Sequence, residues 1–200
     1  FVEAAIGGAI TPDTLHYFAT LEYRSADTGG VFAETTTDTE TYLGSFKLNW
    51  VQNNSNRWDF FTAFNIYDVS NVILGNQFIA PEFNANRTDD RFMLSVQQSH
   101  IFSDSLFLES QFSYLGFDQE LRRADPDAHV TLYRFTPAGT YTSGRYTSDS
   151  ERGVDRFRLQ ETLTWYIGRH TVQAGVDIGH LSSSFNQTIG PTRFDFRETG

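Results

Sequence analysis

The side chains able to do covalent or metal chemistry do not assemble into a motif in this chain. His100, His129, His170 and His180 include no pair at the His-x-x-x-His spacing that puts two imidazoles on one helix face. His170 reads instead as a turn or interface residue. Asp89-Asp90, and Asp125-Pro126-Asp127 with His129, carry donors that a cation could use, but loop carboxylates are commonly solvated turn formers. Ser182-Ser183-Ser184 lacks a Gly-x-Ser-x-Gly context to expose a nucleophile, and with 0 Cys there is no thiolate and no disulfide framework. The expectation is no catalytic residue, no metal site, no cofactor and no enzyme activity. One constellation suits binding: Tyr133, Arg134, Phe135, Tyr141, Arg145 and Tyr146, interleaved with polar residues between Arg122 and Arg152. Rings beside hydrogen-bonding groups can capture a sugar or an organic chelate from water. The competing reading is a mobile loop that only shields what lies beneath it.

The elements that must position these residues are strands. From Val154 to Leu181 two alternating runs meet at Gly168-Arg169-His170. In the second, Val172, Ala174, Val176 and Ile178 share a face opposite Gln173, Gly175 and Asp177; in the first, Phe157, Leu159, Leu163, Trp165 and Ile167 share one opposite Arg158, Gln160, Thr162 and Thr164. This is an antiparallel hairpin with arms of about ten residues, the length a tilted strand needs to cross a bilayer. Gly168 permits positive φ in the turn, and Gly175 leaves room on the polar face. Glu161 is the one intruder on the apolar face, and a bulge that turns it inward would account for it.

The same unit recurs. Val2–Ile10 and Leu15–Arg24 flank Thr11-Pro12-Asp13-Thr14; Thr41–Val51 and Arg57–Tyr67 flank an Asn-rich turn; Arg91–Ile101 and Leu106–Glu120 flank Phe102-Ser103-Asp104-Ser105. Between these hairpins lie long polar stretches, among them a solvated loop from Ser25 to about Thr39 and the Arg122–Arg152 segment. Short turns therefore collect at one end and long loops at the other. That asymmetry marks an outer-membrane barrel with periplasmic turns and extracellular loops, placing Asn54, Asp104 and Arg169 inside and Thr35, Ala85 and Gly139 outside.

Composition agrees. The chain is 39% hydrophobic but 16% aromatic, with 19 Phe, 9 Tyr and 3 Trp, so its apolar content is concentrated in rings rather than in an ordinary soluble core. No run approaches the roughly 18 apolar residues of a membrane helix. A net charge of −10, with Lys47 the one lysine, argues against nucleic acid. Trp50, Trp58 and Trp165 sit beside short turns and Tyr23, Tyr42, Tyr67 and Tyr114 toward the loops, the pattern of aromatic girdles at two lipid-water interfaces. The plainer reading is that aromatics favour strands.

Gly7-Gly8-Ala9-Ile10, a polar turn, and Leu15-His16-Tyr17-Phe18-Ala19-Thr20-Leu21-Glu22-Tyr23-Arg24 resemble the "GGPI, turn, FFFxxYEGxR" segment after the first barrel strand of TonB-dependent receptors of the Oar-like group. Gly168-Arg169-His170-Thr171 followed by Gly175-Val176-Asp177 is similar to that group's "GRHTxxxGxD" turn and strand. Ala9 stands where the group has Pro, Leu21 where it has Tyr, and Tyr23 where it has Gly. The resemblance implies an all-β, antiparallel transmembrane barrel segment of about eight strands. Residues 1–200 would be part of one outer-membrane barrel domain, incomplete at both ends, from a barrel of about 22 strands. It further implies ligand-gated uptake of a glycan, metal chelate or peptide. The partners would be outer-membrane lipid, a plug and the rest of the barrel outside this chain, and the TonB energy-coupling protein. The alternatives are a complete eight-stranded barrel acting as anchor, adhesin or membrane enzyme, and a soluble β-sandwich.

Overall fold

A computed structural model describes residues 1–29, 36–72, 83–125, 127, 131–136, 139–144, 146, 148–190 and 192–196. The strands are β1 (Val2–Thr11), β2 (Leu15–Gly29), β3 (Thr36–Asn53), β4 (Asn56–Ser70), β5 (Ala85–Ser103), β6 (Leu106–Arg123), β7 (Thr131–Thr136), β8 (Gly139–Ser143), β9 (Ser148–Ile167), β10 (His170–Ile189) and β11 (Thr192–Phe196). Eight form one antiparallel meander, β1-β2-β3-β4-β5-β6-β9-β10, and a small second sheet runs β11-β7-β8. The four expected hairpins are present, closed by turns at 12–14, 54–55, 104–105 and 168–169. Gly168 adopts φ +60, a left-handed value that glycine reaches without a Cβ penalty.

The strands run further than the alternation of side chains suggests. Ser25–Gly29 pairs with Thr36–Glu40, so most of the stretch expected as a solvated loop is a continuation of the β2–β3 ladder. β9 begins at Ser148 rather than near Val154, and β10 ends at Ile189 rather than Leu181. A ladder needs only backbone groups, whereas hydrophobic alternation reports where one face is covered by something apolar. The Arg122–Arg152 segment is likewise not a plain loop, because it contains the end of β6, β7, β8 and the start of β9.

Antiparallel partners point to the same side, so the register carries each strand's alternation across the whole sheet. One row reads Tyr17, Leu48, Phe60, Val96, Phe112, Leu159, Ile178; the row one residue away, on the other face, reads His16, Asn49, Asp59, Gln97, Gln111, Gln160, Asp177. Among the described residues no protein packs against the apolar face: Leu159 is 41% and Ile178 59% exposed. Among the described residues the buried hydrophobics are Val69, Phe83 and Ala85, all at the loop end. A soluble sandwich buries its apolar face against a second sheet, and the three-stranded sheet is far too small for that.

The expected bulge at Glu161 is absent. The β9–β10 register runs unbroken through Val176↔Glu161, which keeps the carboxylate on the apolar face, where the Ser110 hydroxyl donates to it at 2.5 Å. A Cβ at Gly175 would stand 2.5 Å from the Glu161 carbonyl oxygen, so close approach of backbone explains that glycine. β1 and β10 are not paired with each other, so the eight strands make an open sheet rather than a closed barrel.

Candidate ligand-binding surfaces

The loop-end residues singled out for ligand capture lie in and beside the small sheet. β7 pairs with β8 so that Arg134 opposes Tyr141, while Tyr133 opposes Thr142 and Phe135 opposes Thr140. Alternation therefore puts Arg134 and Tyr141 on one face and Tyr133 and Phe135 on the other. Tyr146 packs edge-on against Phe83, ring centroids 5.6 Å apart. Arg145 lies outside the described residues. Two links close the loop end of the large sheet beside it. The Ala124 amide donates to the Asn84 carbonyl at 3.0 Å, and the Arg123 amide and guanidinium Nε donate to Asp149 at 2.9 and 3.0 Å. Burial alone would push the Asp149 carboxyl up, but the Arg123 hydrogen bonds and charge outweigh it and hold that carboxyl below its ordinary value.

All three tryptophans project from the apolar face close to turns. Trp50 and Trp58 are cross-strand partners, the Trp58 ring stacks on Phe60, and its Nε1 donates to the Gln52 side chain at 3.3 Å. Trp165 is 48% exposed. At the opposite end of that face the Tyr23 and Tyr42 hydroxyls both donate to Glu40 at 3.2 Å, and Tyr114 donates to Asp155 at 2.6 Å. A ring in apolar surroundings with its polar tip reaching a wet acceptor is the arrangement an interface favours. His100 meets the Asn56 amide oxygen at 2.6 Å and packs against Phe102, which accounts for it structurally. His129 lies outside the described residues.

The polar face carries a feature that reading strand by strand missed. Toward the turns it is a network of short links, with Asn49 donating to Asp59, Arg158 pairing with Asp177, and Gln173 donating to Thr164 at 3.2 Å. Further up, an open cavity of about 420 Å³ is lined by Glu3, Glu22, Leu43, Asn65, Arg91 and Met93, among others. Five of these belong to a single cross-strand row, Glu3, Glu22, Leu43, Asn65, Arg91, which ends on Phe117. The Arg91 guanidinium lies 5.3 Å from the Phe117 ring centroid. The Asn65 Oδ1 atom is buried with no hydrogen-bond partner among the described residues. Such a row exists only once six strands are in register, so no one strand signals it.

No family model matches the chain, and no curated protein matches it in sequence. Among solved structures, the outer membrane transporter YddB from Escherichia coli matches with a TM-score of 0.64 at 11% identity. The shared fold is an antiparallel β-meander of the kind that forms that protein's barrel. The match covers 92% of this chain and 25% of that one, so the chain spans about a quarter of the length of this neighbour. At such identity the likeness is one of fold, and it agrees with the sorted hairpins, the largely apolar face and the open edges of the eight-stranded sheet.

Proposed function

We propose that the chain is part of the barrel wall of a TonB-dependent outer-membrane receptor of the Oar-like group, a non-catalytic importer whose outer end captures a small solute. The observation that carries this reading is the eight-stranded meander with one lipid-suited face and one polar face, matched to an outer membrane transporter. The glycine and aromatic motifs of the first and last hairpins support the finer assignment. Gly7 opposes Phe18, whose ring would meet a Cβ there at 2.8 Å, and the Gly168 turn leads into Gly175. Backbone at the free edges of β1 and β10 costs several kcal/mol per unpaired group in lipid, so further strands must pair with them. This disfavours a complete eight-stranded barrel. The small sheet, with Tyr133, Arg134, Phe135, Tyr141 and Tyr146, is the proposed outer contact for ligand.

The test is made on the complete protein that contains this chain, expressed in cells with and without their energy-coupling protein. The expected result is a heat-modifiable band in the outer-membrane fraction that cross-links to that partner. Deleting 131–148 should leave this band intact and weaken solute uptake. Recovery of the complete protein from the periplasm without detergent refutes the importer reading.

A further inference from the structure

We infer that two copies of the receptor pair in the membrane along the apolar face, Gln98 of each copy donating to Glu161 of the other on either side of a two-fold axis through Ser110. The inference rests on the importer reading and assigns that importer a partner. Gln98 on β5, Ser110 on β6 and Glu161 on β9 are successive register partners on the apolar face. The rows flanking them where β6 meets β9 are apolar, Phe112 with Leu159 on the loop side and Leu108 with Leu163 on the turn side. Glu161 stands midway between Trp165 and Phe157, so about four residues of tilted strand hold its carboxylate roughly 10 Å from either aromatic end. A glutamate side chain does not reach that far.

A carboxylate at that depth has no water, and acyl chains offer it no donor. Among the described residues Ser110 is its one hydrogen-bond donor and no cation pairs with it. Its partner on β10 is Val176, and two strand spacings, about 10 Å, separate it from any strand that continues the barrel beyond β10. Gln98 is the complement: its Nε2 directs one hydrogen to the Asn56 amide oxygen at 3.3 Å, and the second has no acceptor among the described residues. The order of the row supplies the symmetry. Rotation about the membrane normal through Ser110 reverses Gln98, Ser110, Glu161, so each donor faces the other copy's acceptor and the contact forms twice. The two carboxylates fall on opposite sides of the axis. Trp58, Ser110 and Glu161 lie progressively further from their turns, so the row climbs as strands tilted by about 40° require. That tilt offsets each donor from its acceptor by roughly 6 Å in depth; with faces packed about 10 Å apart, two long side chains and a hydrogen bond span the gap. An unrelated protein would have to bring its own donor, whereas this row carries both halves.

Pairing is measured on the complete receptor in lipid vesicles, with a single cysteine as probe. Leu159→Cys, which the tilt brings over Ser110 on the axis, should form a disulfide with its copy; Phe46→Cys, on the same face of β3, should not. Glu161→Leu and Gln98→Leu should each weaken dimerisation about tenfold or more and leave outer-membrane assembly unchanged. Gln98→Glu should weaken it as well, by setting like charges against each other. Adding Glu161→Gln to Gln98→Glu should restore the dimer, because the exchanged row carries the same donor–acceptor pairs, and a purely structural role for either residue predicts no such recovery. Gln98→Leu decides the matter should Glu161→Leu not assemble. An outer-membrane receptor that is monomeric, that cross-links alike at both probes or only to a different protein, or whose dimer ignores these substitutions overturns the pairing alone, as does failure of the exchanged row to recover. A protein absent from the outer membrane overturns the importer reading instead.

Discussion

Leu159 is flanked across the strands by Phe112 on β6 and Ile178 on β10, and its neighbour in sequence, Gln160, faces Gln111 and Asp177 on the other side of the same sheet. Two adjacent positions thus lie on opposite faces. Leu159→Arg places a guanidinium in hydrocarbon and should cost about 2–4 kcal/mol, whereas Gln160→Arg gains Asp177 as a neighbour and should cost far less. Val176→Arg is an instructive intermediate. Its cross-strand partner is Glu161, so the new charge finds a carboxylate and should cost less than Leu159→Arg. Denaturant titrations of the complete receptor in lipid vesicles check the order, and equal costs for Leu159→Arg and Gln160→Arg would reverse the assignment of faces.

The hairpins set orientation, because the turns at 54–55 and 168–169 are tight and the opposite connections at 71–84 and 124–147 are long. Since this stretch has 0 Cys, single cysteines report its sidedness cleanly. Thr35 lies outside the described residues and Ala85 is 1% exposed, so exposed Thr28 is the better outer probe. An impermeant reagent on intact cells should label Thr28→Cys and spare Asn54→Cys and Arg169→Cys; the opposite pattern inverts the topology. The Arg123–Asp149 clamp, which joins β6 to β9 at the loop end of the large sheet, makes a second element-scale prediction. Asp149 has a folded-state pKa below its unfolded value, so its contribution is complete above about pH 4 and disappears as pH falls through the lower folded value. Hydrogen-exchange protection of 119–123 and 148–152 should be flat from pH 7 to 5 and drop below pH 4. Asp149→Asn should remove that pH step.

Over the whole molecule the decisive fact is that β1 and β10 are unpaired edges, every residue of both exposed. In water such edges invite association, and in lipid their N–H and C=O groups have no partner. The 200-residue chain on its own should therefore fail to give a heat-modifiable monomer in lipid vesicles under conditions in which the complete receptor does. A monomer that inserts and migrates as a folded band would mean that β1 and β10 close on each other in the bilayer.

Much of this was legible in the sequence because strands with one apolar face advertise themselves by alternation. Leu15 to Tyr23, Tyr42 to Trp50 and Phe157 to Trp165 named their own faces, and Pro12-Asp13, Asn54-Ser55 and Gly168 named the turns between them. Local sequence determined the hairpins and which residues of each strand share a face. It stopped where the apolar cover stops: β2–β3 beyond Ser25 and β9–β10 beyond Leu181 are ladders held by backbone alone, and backbone bonding leaves no side-chain period to read. Glu161 was misplaced for the same reason, since only the unbroken register shows that Ser110 stands opposite to receive it. The alternating residues of β7 and β8 looked like one binding cluster in sequence, and pairing divided them between two faces. The row from Glu3 to Arg91 draws one residue from each of five strands spread over about ninety positions of chain, because a cross-strand row is a property of register. Register is set by how neighbouring strands pair, and that was decided by the tertiary structure.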